Sequence, residues 1–233
     1  MSFSSPVLIL GMHRSGTSCL AGSLEEAGLY LGGVNAEADF NKKGNRENRR
    51  VMEHHDRILY RMGAAWDNPP LIAPVWTEEE KDTLKSLLSE YSDKQRWGLK
   101  DPRVLFMLDG WLAITLPKFV ATFRHPFEVA SSLVYRAGVW NQSMDMDLAY
   151  ELWAAYNKKL LQVYQYKPFD IIRYDIDVGS YNKKLIDKAG RLGLETEASN
   201  SFREEGLHNQ RNSDEPVPSQ LIPIWEALND FAF

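Results

Sequence analysis

A chain of 233 residues with 44% hydrophobic residues and seven tryptophans can bury a substantial core, and its length suits one α/β domain over residues 1–233. A net charge of −5 argues against broad nucleic-acid or anionic-membrane binding, which both need a surplus of Lys and Arg, so any anion site must be local. The lone Cys19 cannot form an internal disulfide, Pro6–Leu10 is too short an apolar run for a signal sequence, and no window approaches the roughly 18 apolar residues of a spanning helix. The expectation is a cytoplasmic protein without membrane insertion.

In chain order, Val7–Leu10 is a branched apolar run ending at Gly11, the pattern of a strand buried on both faces. Thr17–Ala27 follows with Leu20, Leu24 and Ala27 at helical spacing and Gly28 as a stop. A second helix is expected over Arg49–Met62, with Val51, His55, Ile58, Leu59 and Met62 on one face, and a third starts at Thr77, which can form a capping box with Glu80. Arg96–Lys100 reads as a strand, after which Asp101-Pro102 reads as an N-cap followed by a first-turn proline, with a helix from Arg103. The same grammar recurs in Lys118–Arg124 and the helix that His125-Pro126 begins, through Arg136. Leu148–Val163 is a helix, Phe169–Tyr174 a strand, and Ser180–Leu192 a helix ended by Gly193; the last two dozen residues carry no clear pattern. Strands alternating with helices predict a three-layer α/β fold, a central parallel sheet with helices on both faces.

Two segments carry anion chemistry. Gly11 to Ser18, GMHRSGTS, lies between a strand and a helix, where backbone N–H groups and the helix dipole hold phosphate. It follows the P-loop pattern except that Thr17 stands where ATP- and GTP-using loops have lysine, while a cation is supplied by Arg14. RHPFEVASS, Arg124 to Ser132, begins at a strand end and runs into a helix, and an arginine fork with a hydroxyl makes a sensible pair of phosphate anchors.

The first segment resembles the 5′-phosphosulfate loop of sulfotransferases that use 3′-phosphoadenosine 5′-phosphosulfate (PAPS), with Arg14 at that family's lysine. The resemblance implies that Ser15, Gly16, Thr17 and Ser18 cradle the 5′-phosphosulfate and that Arg14 faces the bridging oxygen. Arg124 and Ser132 have the eight-residue spacing of the family's 3′-phosphate motif, and Tyr174 falls where the family has a tyrosine near the adenine. Phe202-Arg203 and His208 to Arg211 resemble the basic segment that closes over the nucleotide, and Arg211 is the residue chosen from it. Lys100-Asp101-Pro102-Arg103 is similar to a KDPR motif of bacterial and carbohydrate sulfotransferases, and its cations can neutralise charge developing on the sulfuryl group and leaving phosphate. The arginine-type loop is similar to the carbohydrate, protein-tyrosine and bacterial branches, so the implied acceptor is a hydroxyl on a glycan or glycosylated natural product.

Glu47 is the candidate general base. A helix beginning near Arg46 would place Glu47, Val51, His54 and Ile58 on one face, and a Gly-x-x-Glu segment here resembles the one that supplies the base in those branches. The other reading is a glutamate that favours the positive end of its helix. His54 is the reserve base. His54-His55-Asp56 lacks a third ligand at suitable spacing, so no metal site is expected. The implied P-loop-like fold puts Gly11, Lys100, Arg124 and Tyr174 on one sheet edge, where ligands bind. The implied enzyme moves a sulfuryl group from PAPS to the acceptor and leaves 3′-phosphoadenosine 5′-phosphate (PAP), without a metal. Two alternatives stand beside it, a nucleotide-type kinase and a nucleotide-binding module without catalysis; oligomeric state is not legible.

Overall fold

Four parallel strands form the sheet of the computed structural model, which describes residues 4–195, 202–203 and 214–232. The strands are β1 (Val7–Leu10), β2 (Gly98–Lys100), β3 (Lys118–Phe123) and β4 (Asp170–Arg173), in the order β2-β1-β3-β4. Eight helices among the described residues surround them: α1 (Thr17–Glu26), α2 (Arg49–Arg61), α3 (Glu78–Leu87), α4 (Val104–Ile114), α5 (Pro126–Val139), α6 (Met146–Tyr166), α7 (Val178–Leu192) and α8 (Ile222–Phe231). β1 pairs with β2 in the register Val7 to Gly98 and with β3 in the register Val7 to Lys118.

Alternation along the strands divides the core into two layers. Leu8 and Leu10 of β1 join Phe119, Ala121, Phe123 and Ile171 in an apolar layer with α2, α4, α5, α6 and α8. Val7 and Ile9 point the other way, with Val120 and Ile172, against α1 and α7. Trp97, Trp111 and Trp153 are fully buried, and each indole N–H finds an acceptor, as burial of a donor requires. The expected three-layer architecture is therefore the observed one.

Element ends depart from the sequence expectation at several places. Asp101 makes the expected capping bond, its Oδ1 accepting from the Arg103 backbone N–H at 3.0 Å, but Pro102 and Arg103 form a turn and α4 starts at Val104 instead of Arg103. α2 starts at Arg49, after the N-cap Asn48, whose side chain accepts from the N–H groups of Arg50 and Val51. Glu47 thus precedes the helix instead of lying in its first turn, although it is buried as expected. Met62 and Leu148, placed on apolar stripes by spacing, are exposed at helix ends. α8 was not expected at all.

Candidate functional site

The parallel strands end at one edge, where Lys100 at the end of β2, Arg124 after β3 and Tyr174 after β4 line one cavity of about 620 Å³ together with the loop that follows β1. β1 leads into the loop from Gly11 to Gly16. Gly11 has φ 139°, and a Cβ there would strike the Thr122 carbonyl and the Thr17 methyl; Gly16 has φ 88°, and a Cβ there would enter the Tyr174 ring. Both positions therefore require glycine, which lets the loop fold tightly between β1 and α1. Gly16 is the N-cap of α1 and offers no side chain to its first N–H groups, and no acidic residue sits in the first turn. That leaves the positive end of the helix facing the cavity. Ser15 is fully buried and does not reach the cavity wall, although its Oγ has no partner among the described residues.

Arg14 sits in the left-handed region at φ 65°, a conformation that costs a non-glycine residue about 1–2 kcal/mol. Its Nε donates to Ser132 Oγ at 2.7 Å and its Nη atoms reach the Phe40 carbonyl at 3.4–3.5 Å. Burial, with Arg136 and Arg124 nearby, lowers its pKa to about 10. An anion between these arginines would relieve that repulsion.

At the end of β3, Arg124 forms a salt bridge with Glu128 one turn along α5, and its guanidinium lies over the Tyr174 ring, 5.4 Å from the centroid. Arg124 and Ser132 both line the cavity, but Ser132 is joined to Arg14 and not to Arg124. Tyr174, at the end of β4, is raised to a pKa of about 12 by burial and lies under a second arginine, Arg203, at 5.0 Å. Arg203 also donates to the Ile176 carbonyl at 2.5 Å, and its neighbour Phe202 covers Gly22 of α1. The basic C-terminal segment therefore contributes Arg203 to the cavity, whereas Arg211, the residue chosen from sequence, lies outside the described residues.

Lys100 at the end of β2 is buried and donates to Glu47 Oε1 at 2.7 Å and to the Asn45 carbonyl at 3.1 Å. Arg103 reaches the cavity from the following turn and is held by Asp101 at 3.0 Å and Asp56 at 2.5 Å. Behind it, Trp111 Nε1 donates to His55 Nε2 at 3.0 Å, so His55 Nδ1 carries the proton and donates to Asp101 at 2.8 Å. Burial alone would raise the Asp101 pKa, but Arg103 and His55 hold it well below the carboxylate range.

The structure does not bring His54 to the cavity. Its ring lies edge-on to Trp76 at 5.4 Å, and burial with His55 beside it lowers its pKa to about 4, so the reserve base is withdrawn. His13 lines the cavity instead, 4.8 Å from the Trp66 ring, with its pKa lowered well below the ordinary value by burial and by Arg103 and Lys100.

Sequence reading left out Phe40, Lys43, Trp66, Tyr135 and Arg136, which complete the walls. Glu128, Ser132 and Arg136 are spaced by four on α5, so the stripe carrying Arg136 could have been read from Ser132. Among the described residues, seven cations line the cavity against one carboxylate, Glu47, in a chain of net charge −5. Such an arrangement holds a ligand with several negative charges and sets a carboxylate beside it.

No protein-family model and no curated protein matches the sequence. Among solved structures, the chain is similar to the sulfotransferase domain from the curacin biosynthetic pathway, at 14% identity and a TM-score of 0.58 over 98% of this chain and 99% of that one. A sulfotransferase domain from the Synechococcus PCC 7002 olefin synthase aligns at 16% identity and a TM-score of 0.57, over 100% and 96% of the two chains. A sulfotransferase from Alicyclobacillus acidocaldarius gives 14% and 0.59, over 98% and 95%. The chain has the α/β sulfotransferase fold over essentially its whole length.

Proposed function

We propose that this protein transfers a sulfuryl group from PAPS to an acceptor hydroxyl, with a glycan or glycosylated natural product as the acceptor class. One observation carries the reading: the α1 N-terminus with Arg14 and the Arg124–Tyr174–Arg203 group form two cationic sites in one cavity, which suits a nucleotide with phosphates on two sides. The fold shared with sulfotransferases supports it.

In this reading the α1 amides, Thr17 and Ser18 hold the 5′-phosphosulfate, while Arg124 and Ser132 hold the 3′-phosphate. Tyr174 offers its ring to the base, and Arg203 the plane of its guanidinium. Ser132 and Arg124 would then exchange their present partners, Arg14 and Glu128, for phosphate oxygens. Glu47 takes the proton of the acceptor hydroxyl as its oxygen bonds to sulfur in line, and the sulfur–oxygen bond to the 5′-phosphate breaks, leaving its electron pair on that phosphate. Lys100, already bonded to Glu47, stands beside both centres, and Arg14 stabilises the negative charge gained by the departing phosphate.

Because Arg14, Lys100 and the α1 amides meet the donor's charge, release of PAP from PAPS in the presence of a hydroxyl acceptor should persist undiminished in EDTA. Complete inhibition that magnesium reverses would favour a kinase.

A further inference from the structure

Among the cations of the cavity, Arg136 differs from its neighbours. Lys100 and Arg103 are committed to carboxylates, Arg124 to Glu128, and Arg14, Lys43 and Arg203 to hydroxyl or carbonyl oxygens. Arg136 forms no hydrogen bond or ion pair among the described residues. Its guanidinium is instead placed by two indoles, 5.0 Å from the Trp66 centroid and 4.9 Å from that of Trp140. Stacking of this kind fixes the plane of the fork while leaving its N–H edge open.

Its position separates it from the nucleotide end. Arg124 and Arg203 stack on Tyr174, whereas Arg136 shares Trp66 with His13. Arg14, hydrogen-bonded to Ser132 Oγ, lines the same cavity. The fork thus shares the cavity with the proposed base. Beside it, Tyr135 and Trp140 are exposed and pack edge-on against Phe40, which makes an aromatic rim next to Arg136.

We infer that the acceptor carries, besides its hydroxyl, an oxyanion group, a carboxylate or a phosphate ester, that docks on Arg136 between Trp66 and Trp140. The inference rests on the sulfuryl-transfer reading for what counts as acceptor. A planar guanidinium pairs with either oxyanion through two parallel N–H bonds, which orients the ligand as well as binding it. Arg136 would therefore act as a specificity residue, holding the acceptor so that its hydroxyl meets Glu47.

The test uses protein saturated with PAP, titrated by tryptophan fluorescence with methyl glucoside, methyl glucuronide and methyl glucoside 6-phosphate, which differ only in the group on the sixth carbon. At least one anionic sugar should bind ~10-fold or more tighter than the neutral one, and the better of the two identifies the oxyanion. Arg136→Gln should abolish that preference and Arg136→Lys retain part of it, while PAP affinity stays within ~3-fold of wild type in both. Equal affinity for all three sugars, or a preference that survives Arg136→Gln, would overturn the inference. A parallel loss of PAP affinity in Arg136→Gln would also overturn it, by placing the guanidinium on the nucleotide. If PAP failed to bind wild-type protein, the nucleotide reading would fall, and the same titrations without it would still judge Arg136.

Discussion

Asp101→Ala should lower the free energy of unfolding by about 3–5 kcal/mol, because it removes one partner from a buried ionic network and leaves the rest unpaired. Asp101 is 3% exposed and accepts from His55, from the Arg103 guanidinium and from the Arg103 backbone N–H. Without it, the buried Arg103 keeps only Asp56, and His55 loses the acceptor for its Nδ1 proton. Chemical denaturation measures the effect, and a change below about 1 kcal/mol would show that the network contributes little. The pH dependence has a definite sign. The folded-state pKa of Asp101 is depressed, so its contribution is present above the ordinary carboxylate range and is lost as the pH falls through the lowered folded value. The wild-type advantage over Asp101→Ala should therefore be full at neutral pH and shrink only in strong acid.

Glu47→Gln should cut turnover by ~10²-fold or more while PAP affinity changes little, since the amide keeps the shape of the side chain and cannot accept a proton. Glu47 is the carboxylate that lines the cavity, and its bond to Lys100 fixes where its oxygen lies. The effect should appear in kcat for any accepted hydroxyl compound. Turnover near that of wild type would return Glu47 to a purely structural role as the partner of Lys100, and would direct the search for a base to His13.

The parts of this molecule that local rules specify were legible in the sequence. β1, the loop and α1 declare themselves because a short branched strand, two obligatory glycines and a helical spacing follow one another without ambiguity, and the Thr77 capping box marks α3 in the same way. α4 starts at Val104, one residue after the expected Arg103, because a tight turn closed by the Val104 N–H on the Asp101 carbonyl precedes it, a detail of local geometry that no N-cap preference reveals. α8 could have been found, since Leu221, Ile224 and Leu228 have helical spacing and Pro223 occupies the first turn. The site was legible where it lies at strand ends and illegible where loops supply it. Phe40 and Lys43 come from an irregular stretch without periodicity, and Arg203 from a segment far away in sequence. Their place at the cavity follows from packing, as when Phe202 settles over Gly22 and carries Arg203 to Tyr174.

The measurement that bears most directly on the two-ended anion site is calorimetric titration with PAP and with ADP in metal-free buffer, on wild-type protein and on Arg124→Ala. Wild type should bind PAP ~10-fold or more tighter than ADP, and Arg124→Ala should lose most of that preference, because a charge-assisted hydrogen bond to the 3′-phosphate contributes about 1.5–3 kcal/mol. ADP affinity should change little in the variant. Equal affinity of wild type for the two nucleotides, or a uniform loss of both in Arg124→Ala, would contradict the account.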